Sequence, residues 1–123
     1  MTNLETIDVA PIKPVIPYEV LQQIDIRVGT IVDVQDIAKS DKLVRLIVDF
    51  GNHSRSILVG MKAERAESAE IVGEQALFVV NLEPKKMMGE MSEGMLFDIG
   101  YADGIMPALA KPERLVPNGA RAG

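Results

Sequence analysis

The chain has no cysteine and a single histidine, His53, among its 123 residues. Those absences exclude disulfides, thiolate metal sites and cysteine nucleophiles, and one imidazole cannot assemble a multi-histidine zinc site. Aromatic residues are scarce at 4%, and Phe50, Phe78 and Phe97 stand in apolar, strand-like patterns, where they pack a core rather than form a continuous platform for stacking single-stranded bases. Missing too is any apolar run near the roughly 20 residues that a membrane helix needs. The N-terminal MTNLETIDVA has no basic region followed by a hydrophobic stretch, so the expectation is a cytoplasmic protein without membrane insertion. Neither a P-loop nor a dinucleotide fingerprint occurs. The charged neighbours Asp25/Arg27 and Asp41/Lys42 read as surface ion pairs rather than acid–base machinery. His53 falls in a predicted hairpin turn, Gly51-Asn52-His53, as a solvated turn residue. The expectation is a non-enzyme that requires no cofactor.

What is present suits one globular domain spanning 1–123: 47% hydrophobic and 25% charged residues, enough to bury a core but with little left for a second module. The net charge of −5 argues against indiscriminate nucleic-acid binding. Its distribution is uneven. Residues 1–38 carry net −4 and residues 63–123 net −4, whereas 39–62, with Lys39, Lys42, Arg45, Arg55 and Lys62 against Asp41 and Asp49, carry net +3. The middle of the chain is a basic island.

After a lead punctuated by Pro11, Pro14 and Pro17, residues 18–23 suit a short helix with Pro17 near its first position. From Ile24 the apolar period becomes two, with Ile24, Ile26 and Val28 on one face and a continuation through 31–34; Gly29 inside this first strand predicts a bulge or sharp coil. Val44, Leu46, Val48 and Phe50 alternate with Arg45 and Asp49 in a second strand over 43–50, and a tight turn leads to a third over 55–59. Residues 62–71, KAERAESAEI, predict a short helix with Ala63, Ala66 and Ala69 along one side. A fourth strand follows over about 75–80 and a fifth from Met95 to Ile99. Three strands, a helix and two strands give the order of an all-β, five-stranded OB Greek-key barrel, whose ligand groove lies on strands 2 and 3 between the 1–2 and 4–5 loops. Its core would span about 18–110, with N- and C-terminal extensions.

The segment NLEPKKMMGEMSEGM (81–95) is the predicted 4–5 loop. Pro84 forbids a regular central strand there, Gly89 and Gly94 permit unusual backbone geometry, and Lys85 and Lys86 bring two ammonium groups. Placed on an OB barrel, Lys39 and Lys42 fall in the 1–2 connection, Arg45 and Arg55 on strands 2 and 3, and Lys85 and Lys86 in the 4–5 loop. Cations from separate segments thus converge on one groove, the pattern of a polyanion site.

Three blocks in order, IDIRVGTIVDV (24–34), SDKLVRLIVDFG (40–51) and NLEPKKMMGEMSEGM (81–95), resemble the OB-type tRNA-binding domain. That domain is found C-terminal in many methionyl-tRNA synthetases and as stand-alone dimeric tRNA-binding proteins; the CsaA-type export chaperone shares its architecture. The resemblance covers roughly 18–119. It implies that Lys42, Asn81, Lys85, Lys86, Ser92 and Met95 lie at an RNA-binding groove. The chain departs from the family pattern where a His-Pro pair usually precedes the DKL block and Asp36-Ile37-Ala38 stands here; Glu83 and Glu93 also sit in the 4–5 loop. Each missing cation removes one phosphate contact, so RNA affinity weaker than the fold suggests is expected.

The expected function is therefore non-catalytic binding of structured RNA, tRNA first. Lys39, Lys42, Lys62, Lys85 and Lys86 would neutralise phosphates, Arg45 and Arg55 would fork onto phosphate oxygens, and Asn81 and Ser92 would hydrogen-bond ribose or a base edge. The alternative is a CsaA-like chaperone for unfolded or export-bound polypeptides, since four methionines, Met87, Met88, Met91 and Met95, crowd into one loop. Met95 is expected to turn inward and fill the barrel mouth. The apolar, proline-rich flanks 9–20 and 105–116 predict a homodimer, in line with the resemblance.

Overall fold

In the computed structural model, which describes residues 5–62, 65 and 67–123, the alternation read in the second strand is realised. β2 (Val44–Asp49) buries Val44, Leu46 and Val48 and turns Arg45, Ile47 and Asp49 outward. β2 pairs antiparallel with β3 (Ser54–Val59) across the turn at Gly51, whose φ of 98° suits glycine. On its other side it pairs with β1 (Ile26–Asp36). β1 continues the sheet to β4 (Gln75–Val79), and β4 pairs with β7 (Met95–Leu96). The sheet order is β3-β2-β1-β4-β7, a curled antiparallel sheet of the OB type. Its two outer strands are drawn together: Glu93, just before β7, donates its N–H to the Ser56 carbonyl of β3 at 2.8 Å. The interior is filled by Ile31, Leu46, Val48, Ile57 and Phe78, all fully buried, with Phe50 edge-on to Phe78 at 5.6 Å.

Several elements differ from the sequence-based expectation, each for a local reason. The bulge in β1 lies between Ile31 and Asp33 rather than at Gly29, which keeps regular register opposite Ala76. Glycine is required at 29 by packing: a Cβ there would come within 2.5 Å of Val48 Cγ1 and 2.9 Å of Phe50 Cε1. The Ile24–Val28 row consequently faces away from the core, where Val28 is covered by the chain's own tail through Val28 N–H to Ala120 and Gly119 N–H to Val28. The expected helix over 62–71 becomes, in its described part, one 3-10 turn, Ser68–Ile71, with Ile71 buried; Ala63, Glu64 and Ala66 lie outside the described residues. The fifth strand is only two residues long, and Ile99 instead bridges to Ala108.

The flanks behave unequally. A short helix, α1 (Tyr18–Leu21), follows Pro17 as expected. The C-terminal flank packs back on its own barrel: Gln75 exchanges hydrogen bonds with the Val116 backbone and donates to Asn118 Oδ1, and β8 (Arg121–Ala122) adds to β1. The N-terminal arm stands off, with Ile12 and Val15 100% and 99% exposed. Among the described residues no helix is long and apolar enough to cross a membrane.

Candidate functional site

The 81–95 segment is a hairpin rather than an open loop. β5 (Lys85–Met87) pairs with β6 (Glu90–Ser92) through Met88 (φ 52°) and Gly89 (φ 80°), two left-handed residues that match the twist of a two-residue hairpin turn. Strand alternation then divides its side chains. Lys85, Met87, Glu90 and Ser92 share the face toward β3, while Lys86 and Met91 share the opposite one. The division is visible in packing. Ser92 is only 4% exposed, and its hydroxyl accepts the Leu58 N–H and donates to the Gly94 carbonyl, both at 3.0 Å. Met87 seats against Ile37, Leu43 and Leu58. Met87 thus ties the hairpin to the β1–β2 loop, in which Lys39 and Lys42 lie close in sequence to Ile37 and Leu43.

Of the ten candidate residues, four are exposed lysines that pair with no described carboxylate: Lys39, Lys42, Lys85 and Lys86. The other cations are already engaged. Arg45, on the outward face of β2, places Nη2 2.5 Å from Glu90 Oε2 and Nη1 3.2 Å from Gln35 Oε1. Arg55 directs Nη1 at the carbonyls of Val80 (2.5 Å) and Glu93 (3.0 Å), and its guanidinium lies 5.9 Å from the Phe50 ring centroid. Lys62 Nζ binds the carbonyls of Ile37 (2.7 Å) and Ser40 (2.5 Å) and the Asp36 carboxylate (2.7 Å). Arg55 and Lys62 are therefore committed to backbone carbonyls and a carboxylate that brace β3 and the β1–β2 loop.

Asn81 is a clasp as well. Its Oδ1 accepts the Asp25 N–H at 2.9 Å and its Nδ2 donates to the Gln23 carbonyl at 2.6 Å, fixing the entry to β1. Ser92 is withdrawn beneath the surface with its hydroxyl already paired. Met95, expected to turn inward, is instead 44% exposed, and Leu96, its neighbour in β7, takes the inward position. His53 is exposed, stacked on Phe50 at 5.6 Å between ring centroids, with Nε2 3.1 Å from Arg55 Nε.

Glu90 was not among the candidate residues, and Glu93 was read only as a departure from the family pattern. Glu93 Oε1 accepts the Ser56 N–H at 3.0 Å, and Glu90 holds Arg45. The alternation of Lys85, Met87, Glu90 and Ser92 about Gly89 was the available signal. Away from this face, Arg27 chelates Asp25 at 2.9 Å and 3.1 Å and holds its carboxyl below the usual carboxylate range; burial raises that of Asp98. A concavity of about 970 Å³ also lies elsewhere, lined by Tyr18, Gln23, Arg27, Asn81, Phe97 and Arg121 among others.

Comparison with known proteins agrees with this architecture. A methionine--tRNA ligase of Methanothrix thermoacetophila is 45% identical over 109 residues, covering 87% of this chain and 15% of the ligase. The chain thus spans about 15% of the length of that relative. A solved MetRS-related protein from Pyrococcus horikoshii superposes with a TM-score of 0.82 at 32% identity, covering 90% of this chain and all of that one. The CsaA chaperone protein of Picrophilus torridus superposes at 0.76 with 25% identity over 89% of this chain and all of its own. Residues 26–121 match the family described as "Putative tRNA binding domain", which takes in the sheet from β1 through β7, the first residue of β8 and both lysine-bearing segments, and it is to this family that the chain belongs.

Proposed function

We propose that the chain binds structured RNA, tRNA first, without catalysing a reaction, on the outer face of β2 and β3 between the β1–β2 loop and the β5–β6 hairpin. The observation that carries this reading is the placement of Lys39, Lys42 and Lys85 on two segments joined by Met87, within a chain of the tRNA-binding-domain family. Phosphates running along the face would meet ammonium groups on both sides, and Lys86 would extend the contact around the hairpin. Phe50 lies beneath Arg55 and Phe78 is buried, whereas Phe97, expected in the core, is 44% exposed and lines the concavity away from this face; recognition on the β2–β3 face therefore rests on backbone charge and shape rather than on stacked bases. An RNA ligand of this kind goes with a cytoplasmic location.

Filter binding of total tRNA at low and high salt tests the reading, comparing the wild type with Lys42→Ala and with Lys85→Ala/Lys86→Ala. Each lost phosphate contact is expected to flatten the salt dependence by about 0.7–0.9 in log–log slope. Unchanged affinity and slope in both variants would sink it.

A second reading has its own observation. Met88, Met91 and Met95 are 53%, 52% and 44% exposed, an adaptable apolar surface suited to unfolded polypeptides, and CsaA of Picrophilus torridus, named a chaperone, shares the fold. Salt-tolerant peptide binding without tRNA binding would favour it.

The unit that binds is proposed to be a homodimer. Among the described residues, nine exposed large apolar side chains lie between Ile7 and Ile24 and five more between Phe97 and Leu115. The two segments adjoin, since Glu5 Oε2 accepts the Met106 N–H at 2.9 Å. An exposed apolar arm and an adjoining exposed apolar segment on one chain are both covered by two-fold pairing, which sets two RNA faces on one assembly.

A further inference from the structure

Glu90 stands at the tip of the β5–β6 hairpin, opposite Met87, and reaches over β3 to Arg45 on β2. The hairpin does not need this ion pair to stay in place, because Met87, the Ser92 hydroxyl and the Glu93 backbone already fasten it to β3 and the β1–β2 loop. Arg45 is the one cation on the outward face of β2. A carboxylate on a guanidinium uses the planar donor geometry that a phosphate would use. The side chains of Arg45 and Glu90 are 23% and 41% exposed, so the pair is open to an incoming anion.

Resting on the RNA-binding reading above, we infer that Glu90 is a built-in occupant of the phosphate position at Arg45, and that it sets the affinity and salt dependence of the groove. A backbone phosphate reaches Arg45 only by displacing the Glu90 carboxylate. The exchange replaces one anion by another at the guanidinium and therefore releases no further counterion there. Once displaced, the carboxylate remains on the hairpin beside the phosphate and repels it. Wild-type binding is thus carried by the exposed lysines alone, with Arg45 held back.

Glu90→Gln tests this, since glutamine keeps the length of the side chain and an oxygen for Arg45 to donate to. Urea unfolding confirms that the variant is folded. In tRNA titrations at about 0.1 M salt, Glu90→Gln is expected to bind roughly 3- to 10-fold more tightly, with a log–log salt slope steeper by about 0.7–0.9 as Arg45 gains a phosphate. Adding Arg45→Gln to Glu90→Gln is expected to abolish the gain. Glu113→Gln on the C-terminal tail, which changes net charge equally, is expected to give less than half of it. The inference is overturned if Glu90→Gln binds no better than wild type, if the gain survives Arg45→Gln, or if Glu113→Gln matches it. Loss of binding in Lys42→Ala alongside a neutral Glu90→Gln would leave the RNA reading standing and remove this inference alone. Absence of tRNA binding by both wild type and Glu90→Gln overturns both.

Discussion

Arg55 and Val80 are joined by a guanidinium-to-carbonyl hydrogen bond of 2.5 Å that fastens the edge strand β3 to the chain leaving β4. The same Nη1 also reaches the Glu93 carbonyl, so one half-buried side chain spans the seam where the curled sheet closes. Both acceptors are backbone oxygens that lose their partner if the guanidinium is removed. Arg55→Ala is expected to lower stability by about 1–3 kcal/mol, read as a shift of the urea midpoint. The salt slope of tRNA binding should stay at the wild-type value once the variant is folded, because Arg55 points into the protein. A flattened slope with an unchanged urea midpoint would reverse the assignment.

Lys62 and Lys42 make a matched pair for separating structural charge from the charge proposed to face RNA. Lys62 Nζ gathers the Ile37 and Ser40 carbonyls and Asp36 around one ammonium, and the Lys62 N–H bonds the Lys42 carbonyl at 3.1 Å. Removing that ammonium frees the loop that carries Lys39 and Lys42. Lys62→Ala is expected to raise amide exchange across residues 37–43 and to weaken tRNA binding with little change in salt slope. Lys42→Ala should leave exchange alone and flatten the slope by about 0.7–0.9. Identical behaviour of the two variants would refute the distinction.

How much of this was legible in the sequence follows from the range of the interactions. The β2 alternation, the Gly51 turn and the helix at Tyr18 depend on neighbours within a few residues, and each was read correctly. The bulge was misplaced because its position depends on how β1 registers with β2 and β4 at once, while Gly29 answers to Val48 and Phe50. For the site, the exposed lysines were legible as charge on predicted loops. What occupies Arg45 was not: Glu90 is 45 residues away and reaches it only because the hairpin folds over β3. Asn81 and Ser92 were read as ligand contacts from family resemblance, yet their hydrogen bonds run to Gln23, Asp25, Leu58 and Gly94. No local pattern announces such partners.

Asp98 carries a pH signature opposite to that of Asp25. Burial raises its carboxyl above the usual range, so the folded chain holds this proton more tightly than the unfolded chain does. Stability from this group is therefore highest below the unfolded-state value of about 3.9 and is lost as pH rises through the folded-state value. Asp98→Asn removes the penalised charge. It is expected to melt at a higher temperature than the wild type at neutral pH, with the difference vanishing at about pH 3. If Asp98→Asn is instead less stable than the wild type at neutral pH, the carboxylate is stabilised by contacts that outweigh its burial.

The proposed dimer can be tested on side chains that contribute nothing to their own barrel. Ile12 and Val15 are 100% and 99% exposed, so charging them leaves the isolated subunit's packing intact. In a dimer that buries them, each aliphatic side chain contributes roughly 1.5–3 kcal/mol. Losing both raises the dissociation constant by about 10²–10⁴. Ile12→Asp/Val15→Asp is therefore expected to sediment as a monomer at micromolar concentration while the wild type sediments as a dimer. The dimer's melting temperature should depend on protein concentration, and the variant's should not. If both RNA faces engage one tRNA, the variant should also bind tRNA more weakly while retaining the wild-type response to Lys42→Ala within each subunit. A variant that sediments with the wild-type mass would place the interface elsewhere, and a wild type that sediments as a monomer would leave the arm without the partner proposed for it.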